Sequence, residues 1–204
     1  MQRVPVFRAF LVSVALLAAA CGDEPKLAPL APDALVLAFG DSLTYGTGAR
    51  EAESYPAQLE TLIGRRVVRA GVPGEVTAQA LKRLPGELDE HQPRLLLLCI
   101  GGNDFLRNLG KAQAAANVQT MVAVARQRGI DVLLIGTPEK GLTVTPPAFY
   151  AEIAEQHRIP YEGRVIGEIL RDSELKSDTI HPNARGYRLI AERVAALLRK
   201  SGAL

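Results

Sequence analysis

The chain has 204 residues, 48% of them hydrophobic and 23% charged, and its formal net charge is +2 with the two signs interspersed. That length fits one folded domain once the N-terminus is set aside. No dense basic stretch with interleaved aromatics occurs, which argues against nucleic acid as a partner.

Residues 1–20 read as an export signal: Arg3 and Arg8 give a positive start, Phe10 to Ala20 an apolar run, and Ala18, Ala19 and Ala20 small residues before Cys21. The run is too short to span a bilayer as a permanent helix. The stretch "LLAAAC" resembles a bacterial lipobox, in which Cys21 carries a lipid and becomes the mature N-terminus, although Ala18 stands where leucine is usual. On that reading the protein is an exported, membrane-anchored lipoprotein of a bacterial cell envelope, facing the periplasm. The alternative is an ordinary cleaved signal with an unmodified Cys21. Residues 21–33 then comprise the anchor cysteine and a proline-rich linker, and residues 34–204 the folded domain. The second cysteine, Cys99, lies inside the apolar "RLLLLCIGG" and reads as a small buried residue. A chain of this length builds a core without a disulfide.

Short apolar runs then alternate with longer helical patterns. Strands are expected at Ala34–Phe39, Arg66–Ala70, Arg94–Ile100 and Ile130–Ile135, with a weaker one at Ile159–Tyr161. Helical patterns occupy Tyr55–Ile63, Val76–Glu90, Lys111–Arg128, Pro147–His157 and Ala184–Arg199; the last carries Tyr187, Ile190, Val194 and Leu198 on one stripe. This alternation predicts an α/β domain with a parallel sheet covered on both faces. Ligands of such sheets bind beyond the carboxyl ends of the strands, so the loops after Phe39, Ala70, Ile100 and Ile135 are the ones to read.

The first loop is "GDS", where Gly40 permits a sharp exit and Ser42 falls at the sheet edge; serine in a plain turn is the alternative. The second, "RAGVPGEVT", carries Gly71 and Gly74, which either present backbone N–H groups to a ligand or simply turn the chain. In the third, "IGGNDF", Asn103 offers a neutral donor suited to an oxygen that gains charge, or else caps a turn. Before the last helix, "SDTIHPN" spaces Asp178 and His181 so that a carboxylate can orient an imidazole, the alternative being a capping aspartate beside a surface histidine. The other histidines, His91 and His157, sit near helix ends among charged residues and read as solvent-exposed.

Together these pieces resemble the SGNH subgroup of the GDSL esterase/lipase family, through Ser42 in "FGDSLTYGTG", Gly74 in "AGVPGEVT", Asn103 in "GGND" and His181 in "DTIHPN". The blocks run in order from about residue 34 to the C-terminus. Members similar in kind are bacterial arylesterases and the periplasmic thioesterase/lysophospholipase type. The resemblance implies a three-layer flavodoxin-like fold with a five-stranded parallel sheet. It implies Ser42 as nucleophile, His181 as general base and acid, and Asp178 as its orienting partner. An oxyanion hole would form from the N–H groups of Ser42 and Gly74 and the Asn103 side chain, with no metal or organic cofactor. Two departures stand out: Arg69 replaces the usual asparagine of the second block, and Pro73 precedes Gly74.

The implied chemistry is two-step acyl transfer on a small-molecule ester or thioester. Phe105, Leu106 and Leu109 either line an acyl groove or, the favoured reading, belong to the core of the next helix; "EKGLTVTPPAFY" is placed to overhang the site. Competing readings are a carbohydrate acetylesterase of the same fold and a non-catalytic envelope lipoprotein that binds glycan or lipid. A nucleotide-binding domain ranks lower, since neither a Walker sequence nor G-x-G-x-x-G follows the first strand.

Overall fold

The computed structural model describes residues 25–139 and 144–204, so the expectations for the signal sequence and Cys21 lie outside the described residues. The first apolar run forms β1 (Val36–Gly40) and leads into one helical turn, α1 (Ser42–Tyr45). After a 3-10 turn at Glu51–Glu53 come α2 (Tyr55–Ile63), β2 (Val67–Gly71) and α3 (Thr77–His91). Next are β3 (Leu95–Cys99), the short α4 (Gly102–Leu106), α5 (Lys111–Gln127) and β4 (Asp131–Ile135). The chain closes with α6 (Phe149–His157), β5 (Tyr161–Glu162), α7 (Val165–Arg171), a 3-10 turn at Ser173–Leu175, and α8 (Ala184–Lys200).

The five strands are all parallel, in the order β2-β1-β3-β4-β5. Alternating side chains of each strand serve opposite faces, and both faces are covered. On one, Val36, Ala38, Leu95, Leu97 and Leu133 pack under α2, α7 and α8. On the other, Leu37, Phe39, Leu96, Leu98 and Val132 pack under α3, α5 and α6. Every residue of β1 and β3 is buried, which is why those runs show no polar alternation in the sequence. The expected three-layer, flavodoxin-like sheet is therefore the observed one.

Register sets up the site. Gly40 pairs with both Gly71 and Cys99, so β1, β2 and β3 end flush and their loops leave from one level. In this strand order the chain reverses direction across the sheet between β1 and β3, where ligands of such folds bind.

Two expectations change. The proline-rich stretch is not a free linker over its whole length. Leu27 and Leu30 are buried in the core, and their N–H groups donate to the carbonyls of Ser201 and Ala203, both at 2.9 Å. Ala28 N–H reaches the Asp131 carboxylate and Arg65 holds the Leu30 carbonyl. Prolines forbid helix here but leave an extended strap whose remaining N–H groups and leucines still dock. The folded body thus begins ahead of residue 34. Second, α1, α4 and α7 add helix that periodicity missed, because four, five and seven residues are too few to define a stripe. Among the described residues, no helix is long and apolar enough to cross a membrane.

Candidate active site

Ser42 stands at the first position of α1, immediately beyond β1. Gly40 makes this possible: a Cβ there would collide with the Cys99 carbonyl and lie 2.5 Å from Thr44 Oγ1. Asp41 caps the turn, its Oδ1 accepting from Leu43 N–H at 3.0 Å. Thr44 is tied to Tyr55 at 3.0 Å, and Tyr187 of α8 donates to the Thr47 carbonyl at 2.7 Å. The serine is held on a braced turn, with Oγ 3.0 Å from His181 Nε2.

His181 arrives on the tight loop before α8. Ser177 N–H donates to the His181 carbonyl at 2.9 Å, and Lys176 and Pro182 form an antiparallel bridge that closes the loop. Within it, Asp178 Oδ1 accepts from the N–H groups of Ile180 and His181, each at 2.8 Å, while Oδ2 lies 2.7 Å from His181 Nδ1. Desolvation works to raise the Asp178 carboxyl, but the imidazole and the two N–H groups outweigh it and hold the group below its ordinary value. An ionised Asp178 only accepts, so Nδ1 carries the proton and Nε2 is left to accept from the Ser42 hydroxyl. Asn183 then caps α8, its side chain accepting from Arg185 and Gly186 N–H.

Asn103 and its neighbour divide two tasks. Asp104, buried, accepts from Thr77 N–H at 2.8 Å and Thr77 Oγ at 2.6 Å, capping α3 from across the molecule. Asn103 instead faces the serine turn: its Nδ2 donates to the Glu75 carbonyl at 3.0 Å and lies 3.4 Å from Asp41 Oδ2. Gly74 occupies the corner of a turn closed by Glu75 N–H on the Val72 carbonyl at 3.1 Å, with φ +79°. Pro73 before a glycine at positive φ is what a type II turn demands, so Pro73 shapes the loop rather than spoiling it. Arg107 holds the Gly74 carbonyl at 2.8 Å. Gly74 is not among the residues lining the adjoining cavity.

That cavity, of about 130 Å³, opens beside Ser42, Asn103 and His181. Its apolar wall is built by Leu43, Leu106, Val144, Ile166, Leu170 and Ile180. Of the three candidate groove residues only Leu106 lines it. Phe105 turns inward, edge-on to Phe149 and Tyr150 at 6.3 and 6.5 Å, and Leu109 is 51% exposed on the loop beyond α4. Phe105 and Leu106 are neighbours on α4 and point to different faces, and Leu109 lies beyond the helix end. Glu139 and Val144 also line the cavity; residues 140–143 of the segment expected to overhang the site lie outside the described residues.

Several contributors carry no signal in the sequence. Asp41 is fully buried, and desolvation, only partly offset by the Leu43 N–H bond and the His181 charge, raises its pKa to about 7. Thr137 lines the cavity and pairs with Tyr150, whose hydroxyl donates to the Ile100 carbonyl at 2.7 Å, fixing the end of β3. Asp41 lies inside "GDS", but its partner is a backbone N–H that no residue pattern announces. His91 and His157 are half-buried rather than exposed: His91 lies 3.4 Å from Glu87, and His157 Nε2 is buried, although the residues flanking both on the chain are exposed. Among the described residues, no group of three or more His, Cys, Asp and Glu side chains is gathered to hold a metal ion.

The chain is 30% identical to Esterase TesA of Pseudomonas aeruginosa over 199 residues, covering 91% of this chain and 98% of that one. It is 29% identical to Thioesterase 1/protease 1/lysophospholipase L1 of Escherichia coli K12 over 172 residues, covering 80% and 83%. In structure it superposes on the psychrotrophic esterase EstA from Pseudoalteromonas sp. with a TM-score of 0.73 at 22% identity, covering 82% of this chain and 98% of that one, a likeness of fold. Residues 38–189, which hold the serine turn, the Asn103 loop and the Asp178–His181 loop, match the GDSL-like Lipase/Acylhydrolase family. The chain therefore belongs to that family of ester hydrolases.

Proposed function

We propose that the protein hydrolyses carboxylic esters or thioesters through an acyl-enzyme on Ser42. The carrying observation is the continuous file from Ser42 Oγ to His181 Nε2 at 3.0 Å and from His181 Nδ1 to Asp178 at 2.7 Å, opening on an apolar cavity. His181 takes the serine proton as Ser42 attacks the carbonyl, and Asp178 stabilises the imidazolium. The proton passes to the departing alcohol or thiol, and water activated by the same histidine then releases the acid.

Oxygen charge in the tetrahedral intermediate falls to the N–H of Ser42, the N–H of Gly74 and the Asn103 amide. The amide donates to the Glu75 carbonyl at 3.0 Å and, through a long and therefore weak bond of 3.4 Å, to Asp41 Oδ2; the weaker bond is the one it gives up to the oxyanion. The cavity wall of leucine, isoleucine and valine favours an acyl chain over an acetylated sugar as the group held beside Ser42. Lysophospholipids and acyl thioesters present such a chain, and aryl esters do so when their acyl group is longer than acetyl.

The test is hydrolysis of p-nitrophenyl esters from two to sixteen carbons by wild type and Ser42→Ala. Expected are loss of turnover in the variant at every length and a wild-type preference for chains longer than acetyl. A folded Ser42→Ala protein at wild-type rate ends the reading. We also propose export, on the charged start and apolar run of residues 1–20, with lipid added at Cys21. Mass spectrometry of the mature N-terminus distinguishes a diacylglyceryl Cys21 from a bare cleaved one.

A further inference from the structure

Asn103 can serve an oxyanion only if its amide is held in one direction, and that direction is set by the Glu75 carbonyl it donates to. Glu75 N–H closes the Val72–Glu75 turn, an irregular connection between β2 and α3, and the Glu75 carbonyl that accepts from Asn103 belongs to the peptide directly after it. The turn is pinned by the Glu75 side chain, 6% exposed and gripped by Arg83. Arg83 Nε donates to Oε1 at 2.9 Å and Nη2 to Oε2 at 2.6 Å, a two-bond fork. The same Nη2 reaches the carbonyls of Gly40 at 3.4 Å and Ala70 at 3.3 Å, at the ends of β1 and β2. Nη1 is held by Glu87 at 2.8 Å, and the guanidinium lies 4.1 Å from the Phe39 ring centroid. One planar group thus touches the strand end that leads into the serine turn and the loop that aims Asn103.

We propose that Arg83 is a positioning residue for the oxyanion donor: through its fork on Glu75 it fixes the peptide that orients the Asn103 amide, in register with the end of β1 that delivers Ser42. This rests on the acyl-transfer reading of Ser42 and Asn103. Arg83 does not line the cavity, and it reaches the Asn103 amide through Glu75. The rigid fork is what the role requires. A lysine keeps the charge and the burial of its stem but supplies a point charge that cannot span both carboxylate oxygens and the strand carbonyls together. Misaiming a donor by about 1 Å costs on the order of a hundredfold in rate.

The experiment is a kinetic cycle on p-nitrophenyl butyrate with Arg83→Lys, Glu75→Gln, Asn103→Ala, and each of the first two combined with Asn103→Ala. Circular dichroism and thermal midpoints establish folding. Arg83→Lys is expected to lower kcat about tenfold or more with KM within about twofold, and Glu75→Gln to lower it less. In the Asn103→Ala background neither change is expected to cost more than about twofold, since the donor they aim is gone. A folded Arg83→Lys with wild-type kcat overturns the proposal, as do losses that multiply independently in the double variants. Should Arg83→Lys fail to fold, the Glu75→Gln cycle with Asn103→Ala decides by the same criteria. Wild-type turnover in Asn103→Ala would instead remove the oxyanion reading itself, and the proposal with it. A slow Asn103→Ala beside an unimpaired Arg83→Lys removes the proposal alone.

Discussion

A serine hydroxyl is a poor nucleophile at neutral pH, so the role proposed for Ser42 depends on what its neighbours do to its proton and to the charge it creates. In the proposed mechanism His181 and Asp178 serve the first need and Asn103 the second. Asn103→Ala is expected to lower kcat by a hundredfold or more, roughly 3 kcal/mol of transition-state stabilisation, with KM little changed in steady-state assays. Asp41 sets a different test. Burial raises its carboxyl from 3.8 to about 7 despite the Leu43 N–H and the His181 charge, and Glu75 and Asp104 add to the rise. A raised carboxyl means that the folded state binds the proton more tightly than the unfolded one. Its stabilising contribution is therefore complete below about pH 4 and is lost as pH climbs through about 7, on the order of a few kcal/mol. Denaturant midpoints measured from pH 4 to 8 should fall in wild type relative to Asp41→Asn across that window. Parallel curves for the two proteins would contradict the burial of an ionisable Asp41. At this scale Ser42, Asn103, Asp178 and His181 were legible because each sits in a short block at a strand end or before the last helix. Asp41, Thr137 and the Arg83–Glu75 fork were not, because their partners are backbone groups or side chains eight and thirteen residues away, at separations no local pattern announces.

Among the elements, the flush ends of β1, β2 and β3 are what convert separate loops into one site. That edge depends on Gly40, where backbone and the Thr44 hydroxyl leave no room for a methyl group. Gly40→Ala is expected to cost roughly 3 kcal/mol and to lower activity along with the thermal midpoint. The N-terminal strap supplies the opposite case, a structural element far from chemistry. Leu27→Ala or Leu30→Ala should lower stability by about 2 kcal/mol through lost burial while kcat and KM stay at wild-type values; unchanged denaturant midpoints would mean that the strap does not dock. The long strands and helices were readable because sustained apolar patterns announce them, and Tyr55–Ile63 begins and ends where the pattern does. The strap escaped because proline suggests a linker, and nothing local reveals that Ser201 and Ala203 await its N–H groups.

For the molecule as a whole, a parallel sheet buried on both faces leaves its polar work to one edge, and the family's chemistry is concentrated there. The apolar cavity beside Ser42 is the basis of the proposed preference among esters, and the strap ties the N-terminal end of the folded body to its C-terminal end. The proposed mechanism turns on a covalent bond between substrate acyl group and Ser42. The direct measurement is acid-quench mass spectrometry during turnover of p-nitrophenyl butyrate. A butyryl adduct on the peptide holding Ser42, formed and lost at the turnover rate, is the predicted result. Hydrolysis at full rate with no adduct there, or with the adduct on another residue, would contradict it.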